Sequence, residues 1–146
     1  MKHHPIVAAV SLASFTVVIA GVALAMPMNR LNNLPPEENY GAVTYRTGGI
    51  GESEAKAMQQ AESQYPLSLE FVEHARPRDE FLANVDVTIR DPAGTTTLRT
   101  VADGPFLLAD LPDGRYTVIP SEDGLQKVRH VTIASGKTEH VVIEWQ

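Results

Sequence analysis

The hydrophobic pattern of the chain predicts one helix followed by strands. Apolar residues first recur at helical spacing and stop at a proline: Ala57, Met58, Ala61, Tyr65 and Pro66. This spacing predicts one short amphipathic helix over residues 53–65. From residue 67 onward the apolar and polar positions alternate instead, which is typical of strands with one buried face.

The alternating region predicts about seven strands. We place them near residues 67–74, 82–90, 96–102, 105–109, 115–119, 126–134 and 139–145. Glycines recur between them at steps of ten to twelve residues, at Gly94, Gly104, Gly114, Gly124 and Gly136. Regular turn spacing of this kind indicates a mainly β fold, an antiparallel β-sandwich or barrel.

Two turns carry specific predictions. The segment Asp91-Pro92-Ala93-Gly94 has the residue order of a type I turn, so we expect a hairpin there. Tyr116 lies two residues after the turn at residues 111–114. We expect its hydroxyl to hydrogen-bond to nearby backbone. The final strand should bury Trp145. The residues expected to have structural roles are Gly94, Gly104, Phe106, Leu111, Pro112, Gly114, Tyr116 and Trp145.

The amino-terminal segment has the features of a secretory signal peptide. Lys2 supplies a basic start, residues 6–24 are almost entirely apolar, and Ala23-Leu24-Ala25 places small residues at both positions that a signal peptidase recognises. We expect cleavage after Ala25 and a periplasmic or secreted mature chain. An uncleaved membrane anchor is the alternative, because about twenty helical residues span a bilayer core of roughly 30 Å.

Composition narrows the possible functions. The chain has 146 residues, a net charge of −6 and no cysteine, so disulfides, thiolate metal sites and thiol catalysis are excluded. The acidic balance argues against a nucleic-acid partner.

Turn-forming residues crowd residues 26–44, which we predict to be a flexible arm before a single domain over residues 45–146.

Several segments together resemble a carboxypeptidase regulatory-like domain. They are Val-Asp-Val-Thr-Ile-Arg-Asp at 85–91, Asp-Gly-Pro-Phe-Leu-Leu at 103–108 and Leu-Pro-Asp-Gly-Arg-Tyr-Thr-Val at 111–118. The resemblance covers about residues 82–145. It implies a transthyretin-like, Greek-key β-sandwich that is non-catalytic and occurs in bacterial envelope proteins. Residues 45–72 also resemble a proteobacterial subgroup of exported proteins, although a helix precedes residues 66–72 where the domain usually has a glycine-rich first strand.

A glycine-rich turn is one candidate ligand site. Gly48, Gly49 and Gly51 precede the predicted helix, so their backbone N–H groups could bind an anion. Glu52 and Glu54 follow at once and would repel a phosphate. We therefore favour a structural turn that caps the helix.

Two other surfaces are candidates for binding. Tyr40 and Tyr45 lie beside the glycine turn and could form a small stacking surface for a carbohydrate. Residues 95–98 carry little charge and could form an edge strand that pairs with a partner protein.

Catalytic and metal sites have little support in the sequence. The histidines His74, His130 and His140 are far apart, and none belongs to a metal-binding motif. The serines after residue 25 lack the pattern of an activated nucleophile. We predict no cofactor and no metal, and a non-catalytic binding or scaffolding module of the bacterial envelope. An envelope protein is the favoured partner, a polysaccharide is the alternative, and an unrecognised enzyme is the third hypothesis.

Overall fold

The computed structural model describes residues 33–146. The predicted signal peptide over residues 1–25, its cleavage after Ala25 and the start of the arm at residues 26–32 lie outside the described residues. Within residues 33–146, no helix is both long and apolar enough to cross a membrane.

The described chain forms eleven strands and one short helix. The helix α1 spans Glu52–Ala61 and continues into a single 3-10 turn at Glu62–Gln64. The strands are β1 (Glu38–Tyr40), β2 (Val43–Gly48), β3 (Leu67–Glu73), β4 (Glu80–Phe81), β5 (Val85–Arg90), β6 (Thr96–Ala102), β7 (Phe106–Asp110), β8 (Gly114–Glu122), β9 (Leu125–Gln126), β10 (Arg129–Ile133) and β11 (Glu139–Trp145).

Two sheets make up the fold. The first sheet has the strand order β1-β2-β7-β3-β11, with β4 pairing the end of β3. The second sheet has the order β10-β8-β5-β6, with β9 pairing β8. All pairs are antiparallel except β3 and β11, which run parallel. The predicted, mainly antiparallel β-sandwich with one short helix is therefore confirmed, although residues 33–146 form eleven strands rather than about seven.

The main core lies between the sheets and follows the alternation of the strands. One side chain in two points inward, as Val85, Val87 and Ile89 do on β5. Trp145 closes the core at the end of β11: its indole Nε1 donates a 2.9 Å hydrogen bond to the carbonyl of Leu125. The predicted burial of Trp145 is confirmed.

A smaller core lies on the outer face of the first sheet. Met58 and Ala61 of α1, together with Tyr65, pack against Phe106 and Leu108 of β7. Because α1 covers this face, β7 is buried on both sides. The helix thus adds a third layer over part of the sandwich.

Both predicted turns are confirmed. The carboxylate Oδ1 of Asp91 accepts hydrogen bonds from the backbone N–H of Ala93 and Thr95, and β5 and β6 form the expected hairpin. Tyr116 Oη donates a 2.7 Å hydrogen bond to the carbonyl of Pro112, which locks the turn before β8.

The predicted boundary of the flexible arm is wrong over residues 38–44. These residues form β1 and the start of β2, and β2 pairs with β7 in the middle of the first sheet. Val43, Tyr45 and Thr47 alternate with partly exposed residues, so the two-residue period already begins there. The preceding prolines concealed this short pattern. The helix also ends four residues earlier than predicted, because the chain tightens into a 3-10 turn.

Candidate binding groove

A groove of about 500 Å³ opens between the two sheets on one side of the sandwich. We call it the Tyr40 groove. It is lined by Tyr40, Gly41, Ala42, Val43, Thr96, Thr97, Asp110, Leu111 and Pro112. Tyr40 is 38% exposed. The groove lies between β1 and β6, which end their respective sheets on this side.

The strand β6 contains a β-bulge inside the groove. Leu98 pairs with Ile89 and Thr96 pairs with Arg90, so Thr97 is an extra residue with no partner in the register of β5. A bulge bends and twists an edge strand, which disfavours continuous pairing with another strand. The predicted edge at residues 95–98 is therefore interrupted at Thr97.

The structure separates the two tyrosines of the predicted stacking surface. Tyr45 is only 6% exposed and belongs to the main core, and its Oη donates a 3.0 Å hydrogen bond to Glu38. Burial raises the pKa of the Tyr45 phenol. Its ring face is not open to a ligand, so the predicted role of Tyr45 in stacking is wrong. Only Tyr40 remains at the surface.

The glycine turn already binds a carboxylate of its own chain. The backbone N–H of Gly49 donates a 2.8 Å hydrogen bond to Oε1 of Glu54. Gly51 is the N-cap of α1 and supplies the carbonyl for the first helical hydrogen bond. Glu52 is exposed and pairs with Lys56 at 2.7 Å. This arrangement agrees with a structural turn. The Glu54 carboxylate occupies the position beside the Gly49 N–H group that an external anion would take.

A second groove, of about 310 Å³, lies on the outward face of β2 and is lined by Thr44 and Arg46 of that strand. Arg46 Nε donates a 2.8 Å hydrogen bond to Tyr65 Oη, which donates in turn to Glu37 Oε1 at 2.8 Å. Arg46 also donates to the carbonyl of Pro35. Burial raises the pKa of the Tyr65 phenol, and the Arg46 guanidinium partly opposes this. The network fastens the segment before β1 to the helix layer.

The parallel pairing of β3 with β11 assembles a polar cluster that the sequence spacing concealed. His140 Nδ1 lies 3.2 Å from Ser68 Oγ, and its Nε2 lies 3.6 Å from Glu70 Oε2. Glu62 Oε1 lies 3.7 Å from the same imidazole. Burial raises the pKa of the Glu70 carboxyl, and the neighbouring His140 opposes that rise.

This cluster has the residue types of a serine hydrolase but not the access that one needs. Ser68 is 0% exposed. A nucleophile must reach the substrate, and a fully buried hydroxyl does not. The hydrogen bond between Ser68 and His140 therefore ties two strands together in this structure.

A second histidine links two segments near the end of the first sheet. His74 Nδ1 lies 2.8 Å from Asp79 Oδ1, and its Nε2 lies 2.8 Å from Glu144 Oε2. The hydrogen bond with Asp79, followed by that with Glu144, raises the pKa of the His74 imidazole. The two carboxylates contact opposite ring nitrogens, so they do not converge on one point. Among residues 33–146, no group of three or more histidine, aspartate or glutamate side chains is arranged to hold a metal ion.

Comparison with known proteins finds partial similarity to solved structures of pilins. No protein-family model and no curated protein matches this chain. The minor pilin GBS52 of Streptococcus agalactiae is similar over 53% of this chain and 42% of its own, with 22% identity and a TM-score of 0.44. A variant of BcpA, the major pilin subunit of Bacillus cereus, is similar over 55% of this chain and 30% of its own, with 16% identity and a TM-score of 0.41. This chain thus spans less than half the length of either pilin.

Proposed function

We propose that this chain is a non-catalytic binding module of the bacterial envelope, and that it binds an extended segment of a partner protein in the Tyr40 groove. The observation that carries this proposal is the position of the groove. It lies between the terminal strands of both sheets, so an extended segment can reach it from the side. The envelope location rests on the signal-peptide pattern of residues 1–25.

The lining of the groove suits an extended peptide. Val43, Leu111 and Pro112 supply an apolar floor for one or two side chains. Thr96 and Thr97, on the strand of the second sheet, also line the groove and are partly exposed. The Thr97 hydroxyl donates a long, 3.5 Å hydrogen bond to the Thr95 carbonyl, and both hydroxyl oxygens can accept hydrogen bonds from peptide N–H groups. The bulge at Thr97 interrupts a continuous β-ladder. The peptide is therefore held by inserted side chains and a few polar contacts.

Tyr40 is the residue expected to contribute most to binding. It combines a large apolar ring with a polar hydroxyl at the mouth of the groove. Aromatic residues of this kind dominate many interfaces because they bury much area and lose little side-chain entropy. Its replacement by alanine should weaken binding about tenfold or more.

A carbohydrate is the second candidate ligand. The same Tyr40 ring could stack on a sugar face, and the carboxylate of Asp110 with the hydroxyls of Thr96 and Thr97 could bind sugar hydroxyls. This arrangement replaces the predicted pairing of Tyr40 with Tyr45, because Tyr45 is buried.

The experiment is site-specific photo-crosslinking in intact cells. A photoreactive amino acid replaces Thr97 in the chain as it is expressed with its own amino-terminal segment. The proposal predicts a discrete protein adduct, which disappears when Tyr40→Ala is added. The matched control places the same photoreactive residue at Leu125, which is 60% exposed and lies on the short strand β9 of the second sheet.

The outcomes separate the hypotheses. A discrete adduct at Thr97 but not at Leu125 supports protein binding in the groove. Equal labelling at both positions, or no protein adduct at Thr97, contradicts it. Labelled polysaccharide at Thr97 without a protein would support the carbohydrate alternative instead.

A further inference from the structure

The last strand, β11, offers a long and regular edge to another strand. Its seven residues pair with seven consecutive residues of β3 without a shift in register. Along its other side, no strand within residues 33–146 is paired with it. An unprotected row of backbone N–H and carbonyl groups is a template for further pairing.

The other terminal strands are shorter or interrupted. In the part of the chain that the structure describes, β1 has three residues, β10 has five, and β6 contains the bulge at Thr97. Short strands and bulges are the usual ways in which proteins protect such edges. The sequence of β11 contains neither proline nor lysine, and its charged residues, Glu139 and Glu144, lie towards its two ends.

The outward face of β11 has an apolar centre between two polar groups. Val142 is 41% exposed. His140 lies two residues before it and Glu144 two residues after it, on the same face of the strand. The imidazole of His140 and the carboxylate of Glu144 are therefore placed symmetrically on either side of Val142.

We propose that β11 pairs antiparallel with β11 of a second copy of this chain, about a two-fold axis at Val142. A two-fold axis places the same strand against itself, so each contact occurs twice. The outward faces of both copies must lie on the same side of the joined sheet. Only registers that set outward residues opposite outward residues satisfy this condition, and the axis at Val142 does so.

This register places complementary groups opposite each other. Glu144 of one copy faces His140 of the other, and the exchange is repeated across the axis. Their side chains are about half exposed and keep capacity for another contact, although Glu144 already contacts His74, and His140 lies near Ser68, Glu62 and Glu70. A carboxylate opposite an imidazole is favourable, whereas like charges directly opposite are not.

The central residues of the inward face of β11 are compatible with the same register. Val141 of one copy would lie opposite Ile143 of the other, and both side chains point to the sandwich interior. The first sheets of the two copies would then continue into one another. The Tyr40 groove lies at the opposite end of the first sheet, so this assembly leaves it open and is independent of the proposed function.

The register can be tested with a single introduced cysteine, because the chain has none. In the proposed dimer, Val142→Cys lies directly opposite its own copy, and the Cα separation of such a pair, about 4.5–5.5 Å, suits a disulfide. Mild oxidation should convert most of the protein to a covalent dimer. The control is Val101→Cys, which lies on β6 and is similarly exposed, at 48%; it should stay largely monomeric.

A second test measures association without a covalent bond. Analytical ultracentrifugation of the purified wild-type protein should show a concentration-dependent dimer. Val142→Lys places two ammonium groups together on the axis and should raise the dissociation constant about tenfold or more, whereas Val101→Lys should leave it unchanged. Circular dichroism verifies that both variants are folded. A monomer at high concentration, or equal crosslinking at both cysteines, overturns the proposal.

The same measurements would show whether something other than a second copy covers the free edge of β11. If residues 1–32 or another protein occupy β11, the purified chain stays monomeric and Val142→Cys forms no symmetric disulfide. Both results contradict pairing with a second copy.

Discussion

Tyr116 and Pro112 form the contact that fastens the turn between β7 and β8. Tyr116 Oη donates a 2.7 Å hydrogen bond to the Pro112 carbonyl, four residues earlier in the chain. Burial raises the pKa of this phenol, and Asp91 and Asp113 add to the effect. The tyrosine ring belongs to the main core, so the hydrogen bond connects the core directly to the surface turn. The same turn supplies Leu111 and Pro112 to the Tyr40 groove.

Removing this hydroxyl should destabilise the fold moderately. We expect Tyr116→Phe to lower the free energy of unfolding by about 1 kcal/mol, because one largely buried hydrogen bond is lost while the ring is kept. Urea denaturation followed by circular dichroism measures the change. Tyr40→Phe, at an exposed position, serves as the control and should leave the stability almost unchanged; equal effects at both positions would contradict a special role for Tyr116.

Truncating Trp145 should have a much larger effect. Trp145 is almost completely buried, and its ring lies 6.4 Å from that of Phe71. We expect Trp145→Ala to cost about 3–5 kcal/mol of stability, since a large cavity opens between the sheets. Trp145→Phe should cost less, because it keeps most of the apolar contacts and loses the hydrogen bond to the Leu125 carbonyl. Thermal melts followed by circular dichroism compare the two, and a similar loss in both variants would show that the hydrogen bond dominates.

Replacement by alanine should destabilise the fold more at Gly104 than at Gly94. A Cβ at Gly104 would collide with the backbone of Gly48, whereas a Cβ at Gly94 meets no neighbouring atom within 4 Å. Gly94 has a φ of +81°, so Gly94→Ala should cost about 1 kcal/mol through backbone strain alone. Gly104→Ala should cost roughly 3 kcal/mol because two segments of backbone must move apart. Urea denaturation ranks the variants, and the reverse order would refute the steric explanation.

His74 should make stability depend on pH. Its hydrogen bonds to Asp79 and Glu144 raise the pKa of the imidazole above its ordinary value, so the folded state favours the protonated form. This contribution is fully present below the unfolded pKa and is lost as the pH rises through the raised folded pKa. The stability difference between wild type and His74→Gln should therefore shrink as the pH rises through that range.

Nuclear magnetic resonance can locate the titration directly. The ring protons of His74 should titrate at a higher pH than an unperturbed imidazole, and Asp79→Asn should lower that midpoint because it removes the main partner. The measurements stay above the range in which carboxylates become protonated. An unchanged midpoint in Asp79→Asn would show that Asp79 does not hold the proton on His74.

Local pattern predicted most of the strands that form the main core, but it missed β2, which contributes Val43 and Tyr45 to that core. The alternation from residue 67 onward predicted β3, β5, β6, β7, β8, β10 and β11, and two of these, β6 and β11, match the predicted bounds. The turn at Asp91 and the hydroxyl contact of Tyr116 were also predictable, because each depends on residues within a few positions of one another. The short strand β1 was missed, since three exposed residues after two prolines carry no detectable period.

The candidate sites depended on contacts that no local pattern contains. Tyr40 and Tyr45 look equivalent in the sequence, yet the inward face of β2 buries Tyr45 and the end of the sheet exposes Tyr40. Thr97 looks like an ordinary strand residue, and only the register of β6 against β5 shows that it forms a bulge.

The sequence by itself determined the period of the strands from residue 67 onward, the turn chemistry, the lack of thiol chemistry and the expectation of export. Tertiary structure alone decided which strands lie at the edges, which aromatic ring is exposed and which polar groups meet. Ser68 and His140 are 72 residues apart and come together only because β11 pairs in parallel with β3. The physical reason is that backbone geometry sets the spacing of buried positions along one strand, whereas the neighbour of each strand is selected by packing of the whole core.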